Sequence, residues 1–86
     1  MSKEQFDKAA EEVKQLTQRP SNDELLSLYA FFKQATEGDV KGSRPGLLDL
    51  KSRAKYDAWA KLKGKSPESA RMEYVKLVES LKQRYS

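Results

Sequence analysis

Four segments of this chain repeat apolar residues with the period of a helix, whereas no segment alternates apolar and polar residues as a strand does. Ser2 with Gln5, and Ser21 with Glu24, have the spacing of a capping box at the beginning of the first two segments. Gly38 follows the second segment, where glycine commonly ends a helix. The sequence therefore predicts an all-α protein built as a four-helix bundle.

The predicted boundaries follow from these start and stop signals. Helix 1 begins after Ser2, helix 2 lies between Ser21 and Gly38, helix 3 runs from about Leu50 to Lys63, and helix 4 begins after Ser66. Residues 38 to 49 form a connection longer than helix packing alone requires. The stripes predicted to be buried in helices 1, 2 and 4 are Phe6, Ala9, Ala10, Val13 and Leu16; Leu25, Leu28, Tyr29, Phe32 and Ala35; and Ala70, Tyr74, Leu77, Val78, Leu81 and Tyr85.

Length and residue types narrow the functional class. A chain of 86 residues makes one domain, spanning residues 1–86, with one small core. The sequence has no cysteine and no histidine, so it lacks the usual nucleophile, general base and metal ligands. Its longest apolar run, from Leu28 to Phe32, is far too short to span a membrane. We predict a cytoplasmic protein that is not an enzyme, has no metal or cofactor and does not insert stably into membranes.

Charge is distributed unevenly along the chain. Residues 1–43 carry six basic and eight acidic side chains, whereas residues 44–86 carry eleven basic and five acidic ones. The two halves therefore differ in sign, at about −2 and +6. This excess predicts a polyanionic or phosphorylated partner. The alternative is that most of these lysines only solvate exposed helix faces.

Helix 3 departs from a simple apolar stripe. Lys51 and Lys55 share one side of the helix with Trp59, on a face predicted to turn inward. Lys33 lies at the edge of the stripe of helix 2, and Lys14 has the same position on helix 1. Cations beside aromatic side chains on inward faces predict a bound anion such as a nucleotide phosphate. The alternative is that Lys51 and Lys55 extend their ammonium groups to solvent at the end of the bundle.

Six parts of the sequence, distributed from end to end, match the pattern of one known family: Phe6 to Lys14, Tyr29 to Asp39, Arg44-Pro45-Gly46, Lys55 to Trp59, Leu62 to Ser66, and Tyr74. In these positions the chain resembles the acyl-CoA-binding proteins, small cytosolic four-helix proteins that bind fatty acyl-CoA thioesters. The resemblance implies an up-down-down-up antiparallel bundle in which the long loop between helices 2 and 3 makes the crossover.

The resemblance also implies a binding site for long-chain acyl-CoA. Tyr29 and Phe32 are expected to flank the adenine, Lys33 and Lys55 to contact the ribose 3′-phosphate, and Tyr74 to line the site. The complete set of expected ligand-binding residues is Lys14, Tyr29, Ala30, Phe31, Phe32, Lys33, Lys51, Lys55 and Tyr74. The candidates for an apolar groove around the acyl chain are Phe6, Ala10, Leu25 and Leu26.

The implied function is that of a non-catalytic, monomeric carrier and pool former that meets acyl-CoA-using enzymes transiently. Two positions depart from the family pattern: Phe32 stands where tyrosine is common, and Tyr56 where tryptophan is frequent. A basic nucleic-acid-binding module is the competing class, but the chain lacks an arginine-rich recognition helix, and we expect no nucleic-acid partner. Vertebrate members of the family are also known as diazepam-binding inhibitors, which leaves a secreted regulatory role as a third class.

Overall fold

The computed structural model describes residues 3–85 and contains four α-helices. They are α1 (Lys3–Glu12), α2 (Asn22–Glu37), α3 (Leu50–Ala60) and α4 (Pro67–Tyr85), with a short 3₁₀ helix at Val13–Gln15 directly after α1. None of the described residues forms a strand. The predicted all-α class is confirmed.

The sequence signals at α2 act as predicted. The Ser21 hydroxyl accepts a hydrogen bond from the Glu24 N–H at 3.2 Å, and the Glu24 carboxylate accepts one from the Ser21 N–H at 2.8 Å, which completes the capping box. Gly38 ends the helix with a φ of 79°, a conformation that side chains disfavour. The capping box predicted at Ser2 and Gln5 falls outside the described residues, because Ser2 is not among them.

Contacts between α2 and α3 show that these two helices run parallel. Tyr29, early in α2, lies beside Lys55, whereas Gln34, a turn later, bonds to Trp59, a turn further along α3. Positions therefore increase together along both helices. Because parallel helices begin at the same end of the bundle, the chain must run back along the length of α2 before α3 begins. Residues 38–49 form this connection.

The contacts of α4 complete the topology. Phe6 of α1 contacts Tyr74 and Glu12 pairs with Lys82, so α1 and α4 are parallel. Phe32 of α2 also contacts Tyr74, while the N-terminal Glu24 of α2 pairs with the C-terminal end of α4, so α2 and α4 are antiparallel. The directions are up, down, down and up, as the resemblance implied.

The core lies between α1, α2 and α4. Its buried members are Phe6, Ala9, Leu28, Tyr74, Val78 and Leu81. α3 packs against α2 alone and contributes one buried side chain, Trp59. One face of the first two turns of α3 is therefore left beside an open groove and not against another helix.

Two helices end earlier than the sequence pattern predicts, since the apolar stripe of helix 1 extends to Leu16 and helix 3 was expected to reach Lys63. α1 ends at Glu12, and its last turn tightens into the 3₁₀ helix Val13–Gln15. α3 ends at Ala60 and not at Lys63, because the next amides bond three residues back, as Leu62 N–H does to the Trp59 carbonyl at 2.9 Å. The tighter turn leads directly into α4. Among residues 3–85, no helix is long and apolar enough to cross a membrane.

Candidate ligand-binding site

Three aromatic rings from three helices meet at one side of the core. The ring of Phe6 stacks on that of Phe32, with centroids 5.4 Å apart, and Tyr74 lies 5.1 Å from Phe6 and 5.8 Å from Phe32. Phe6 and Tyr74 are buried, while Phe32 is partly exposed. The cluster therefore presents one accessible ring, that of Phe32, packed on two buried rings.

Two open grooves are lined by Tyr29, and the first of them adjoins this cluster through Phe32 and Tyr74. The first groove, about 450 Å³, is lined by Ala10, Val13, Lys14, Leu28, Tyr29, Phe32, Lys33 and Tyr74. The second groove, about 430 Å³, lies between α2 and the beginning of α3 and is lined by Arg19, Asn22, Leu25, Leu26, Tyr29, Leu50, Lys51, Ala54 and Lys55. In both grooves apolar side chains lie beside cations.

The cations converge on the Tyr29 ring. Lys33 Nζ lies 6.0 Å from its centroid and Lys55 Nζ lies 5.4 Å from it, and Lys33 Nζ is also 5.5 Å from the Trp59 ring. Glu37 forms a salt bridge with Lys33, and this hydrogen bond raises the pKa of the Lys33 ammonium. Two ammonium groups therefore lie within 6.0 Å of the centroid of one aromatic ring.

The expectation that these lysines turn inward is wrong. Lys51 and Lys55 are exposed, the side chain of Lys14 is 72% exposed, and only Lys33, at 29%, is half-buried. For Lys51 and Lys55 the reason is that the second groove separates the N-terminal half of α3 from α2, so these side chains lie at its rim. The ammonium groups remain hydrated at the rims of the grooves, which avoids the desolvation cost of a buried charge.

The structure brings most of the expected site residues together but separates two of them. Ala30 and Phe31 lie on the other side of α2, because neighbouring residues on a helix are turned by about 100°. They line a third groove of about 310 Å³ that also includes Leu26, Ala58 and Leu62. A continuous binding segment from Tyr29 to Lys33 is therefore interrupted at its centre.

A residue that the sequence did not single out connects the helices beside the site. Gln34 is fully buried, and its amide nitrogen donates to the Lys65 carbonyl at 2.7 Å and to the Asp39 carboxylate at 2.9 Å. Its amide oxygen accepts a hydrogen bond from Trp59 Nε1 at 3.1 Å. The available signal was its position one helical turn after Ala30, on the side of α2 that faces α3.

The long loop is held against α3 by polar contacts. Arg44 forms a two-pronged pair with Asp57, with Nε–Oδ1 and Nη2–Oδ2 distances of 2.9 and 2.7 Å. The Tyr56 hydroxyl donates to the Gly42 carbonyl at 3.1 Å. Tyr56, one of the departures from the family pattern, therefore positions the loop and lines none of the three grooves.

The bundle, its open grooves and their cationic rims define a small helical ligand-binding protein. The family described as "Acyl CoA binding protein" matches residues 3–78. The chain therefore belongs to the acyl CoA binding protein family.

Individual relatives agree with this assignment. An acyl-CoA-binding protein homolog from Drosophila melanogaster is 58% identical over 86 residues, which cover both chains completely. The crystal structure of ACBP from Moniliophthora perniciosa is 45% identical, with a TM-score of 0.92 over 98% of this chain and 83% of that one. The crystal structure of Acyl-CoA-Binding Protein 2 from Oryza sativa is 43% identical, with a TM-score of 0.90 over 94% and 88% of the two chains.

We predict that Gln34→Ala lowers the free energy of unfolding by about 3 kcal/mol, because it leaves a cavity and removes hydrogen-bond partners of Trp59 Nε1 and the Lys65 carbonyl. Urea unfolding followed by Trp59 fluorescence measures this change. Gln83→Ala is the matched control, since Gln83 is an exposed residue of α4. Equal stabilities of the two variants would contradict the role given to Gln34.

A second prediction concerns pH. The hydrogen bond from the Gly64 N–H, and after it the one from the Gln34 amide, lower the pKa of Asp39 in the folded protein. This contribution to stability is present above the pKa of Asp39 in the unfolded chain, about 4, and is lost as the pH falls through the lower folded-state value. We expect the stability gap between the unmodified protein and Asp39→Asn to shrink between about pH 6 and about pH 2.

Urea unfolding at a series of pH values measures this gap. Asp7→Asn is the control, because Asp7 is exposed on α1 and makes no hydrogen bond or ion pair within the described part of the chain. A gap for Asp39→Asn that stays constant over the whole range would show that the Asp39 carboxylate is not held by these bonds.

Proposed function

We propose that this protein binds long-chain fatty acyl-CoA esters with high affinity and acts as a cytoplasmic carrier and pool former. The observation that carries the proposal is the arrangement at Tyr29, where the ammonium groups of Lys33 and Lys55 lie close to an aromatic ring that lines two largely apolar grooves. Membership of the acyl CoA binding protein family supports the choice of ligand. The carrier is proposed to be a monomer that meets acyl-CoA-using enzymes transiently.

The polar part of the ligand is proposed to bind around Tyr29. The rings of Tyr29 and Phe32 both line the first groove and offer stacking surfaces for adenine. Lys33 and Lys55 are proposed to take the ribose 3′-phosphate. A phosphate gives each ammonium group a charge-assisted hydrogen bond, which is a stronger contact than the cation–π contact with the ring.

The remaining cations and the Tyr74 hydroxyl extend this polar site. Lys14 is proposed to contact the ligand from the rim of the first groove, and Lys51 from the rim of the second. Burial raises the pKa of Tyr74, so its hydroxyl stays protonated and able to donate. Ala30 and Phe31 are proposed to support the site from the opposite side of α2 without touching the ligand.

The apolar part of the ligand is proposed to follow the grooves away from Tyr29. Leu25 and Leu26 line the second groove and Ala10 the first, with Phe6 beneath the aromatic cluster. Burial of each methylene contributes about 0.8 kcal/mol, while stacking contributes about 1 to 3 kcal/mol and each charge-assisted bond about 1.5 to 3 kcal/mol before the entropy of association. A long chain therefore dominates the difference between acyl-CoA and free CoA.

The proposed role is non-catalytic. The groups at the grooves are aromatic rings, aliphatic side chains, the cations of lysine and Arg19, and the Asn22 amide, which bind and shield a thioester without an acid–base pair. A carrier of this kind changes the concentration of free ligand and leaves the thioester intact.

Isothermal titration calorimetry with dodecanoyl-CoA and with free CoA at the same salt concentration tests the function. We expect one-to-one binding of dodecanoyl-CoA that is at least about a hundredfold tighter than that of CoA, because the chain leaves water. Similar affinities for the two ligands would contradict an acyl-CoA carrier. Tight, salt-dependent binding of single-stranded DNA in a parallel titration would favour a nucleic-acid-binding module instead.

We predict that Lys55→Ala weakens dodecanoyl-CoA binding by more than about 1 kcal/mol, since it removes a charge-assisted contact to phosphate. The thermal midpoint is expected to change little, because Lys55 is exposed and makes no ion pair within residues 3–85. Lys76→Ala on the exposed face of α4 is the matched control. A large fall in the midpoint of Lys55→Ala with unchanged affinity would identify Lys55 as a structural residue.

A further inference from the structure

Three leucines at the beginning of α3 project from the surface of the bundle. Leu47 is 75% exposed, Leu48 102% and Leu50 74%, which makes them the most exposed large apolar side chains of residues 3–85. The three lie within one turn of chain at the end of the long loop. We refer to Leu47, Leu48 and Leu50 as the leucine tip.

The leucine tip is held in its exposed position by hydrogen bonds. The Asp49 N–H donates to the Gly46 carbonyl at 3.1 Å and closes the turn that contains Leu47 and Leu48. The Asp49 carboxylate accepts from the Ser52 N–H at 3.2 Å and so caps α3. The nearby pair of Arg44 with Asp57 fixes the preceding loop. The leucines are therefore presented to solvent by an ordered backbone.

Positive charge is concentrated in the segment of the chain that contains the leucine tip. Residues 41–65 carry eight basic side chains and two acidic ones, and the two acids are engaged, Asp49 in the cap and Asp57 with Arg44. Viewed along the axis of α3, Lys51 lies about 100° from Leu50 in one direction, and Arg53 lies about 60° from it in the other. Apolar side chains beside cations are complementary to a partner whose outer layer is anionic and whose interior is apolar.

The shape and size of the leucine tip favour a bilayer over a protein partner. Three leucine side chains cover far less than the roughly 800 Å² per partner that a stable protein interface buries. A fully projecting side chain needs a complementary pocket on a protein, whereas acyl chains of a bilayer close around it without one. We propose that the leucine tip docks the protein on anionic membrane surfaces, with Leu47 and Leu48 inserted at the boundary of headgroups and acyl chains.

The proposed docking also affects how acyl-CoA reaches its binding groove, an inference that rests on the proposed function. Leu50 belongs to the leucine tip, and both Leu50 and its neighbour Lys51 line the second groove. A docked molecule therefore holds the mouth of this groove at the lipid surface. An acyl chain then passes between bilayer and groove without crossing water, which removes the main barrier to its transfer.

Flotation of the ligand-free, full-length protein with vesicles tests the proposal. The vesicles are phosphatidylcholine alone or phosphatidylcholine with about 30% phosphatidylserine, at low and high salt. The tip variant Leu47→Ser/Leu48→Ser is compared with Met72→Ser, which removes a partly exposed apolar side chain of α4. The charge variant Arg53→Gln is compared with Lys76→Gln. Circular dichroism checks that each variant is folded.

We expect the protein to bind the anionic vesicles preferentially. The tip variant is expected to lose about tenfold or more in partition coefficient and Arg53→Gln about fivefold, while both controls behave as the unmodified protein. High salt is expected to weaken binding to the anionic vesicles, whereas the difference between the unmodified protein and the tip variant remains. Equal binding to neutral vesicles, or equal binding of the tip variant, would overturn the proposal.

Calorimetry with dodecanoyl-CoA on the same variants separates this proposal from the proposed function. The tip variant is expected to bind the ligand in solution like the unmodified protein, because Leu47 and Leu48 line neither of the two ligand grooves. Loss of vesicle binding with intact ligand binding supports the docking surface. Absence of ligand binding in every variant overturns the carrier function but leaves the vesicle result to decide the docking surface.

Discussion

The buried amide of Gln34 is the contact on which the geometry of the site depends. Through it, the C-terminal end of α2 is joined to Trp59 of α3, to Asp39 of the long loop and to the turn before α4. The same indole also donates to the Gly38 carbonyl at 2.8 Å. Because a buried polar network is costly unless all of its members are paired, it specifies one arrangement of these four segments.

This network holds α3 at its C-terminal end, and its N-terminal end borders the second groove of the candidate site. Trp59 is held against α2, while the first turns of α3 are separated from α2 by the second groove. Charges at the rim of such a groove keep their hydration in the free protein, so the site costs little stability. The two-pronged pair of Arg44 with Asp57 holds the long loop against α3.

Much of the fold was predictable because it depends on local signals. The capping box at Ser21 and the glycine at Gly38 define α2 through contacts between near neighbours in sequence. The apolar stripes of helices 1, 2 and 4 identified the core for the same reason. The predicted end of α3 was too late, because the chain tightens after Ala60 into the turn that leads to α4. Hydrophobic periodicity carries no information on the tertiary contacts of this turn.

The site was less predictable, because it depends on which helix faces are left uncovered. Lys51 and Lys55 lie on a face that is inward only if another helix covers it, and α3 packs on α2 alone. Ala30 and Phe31 were included as part of a continuous segment, although a helix turns them away from Tyr29. Gln34 was missed because a single glutamine carries no sign of burial until its distant partners, Trp59 and Lys65, 25 and 31 residues away, are known.

The central claim is that one ligand lies across Tyr29, occupying the grooves on both sides of it. A titration of labelled protein with dodecanoyl-CoA, followed by two-dimensional NMR, tests this most directly. The account predicts the largest shifts at Tyr29, Lys33 and Lys55, with small shifts at Ala58 and Leu62 in the third groove. Shifts concentrated at Ala58 and Leu62, with Tyr29 unchanged, would place the ligand on the opposite side of α2 and contradict it.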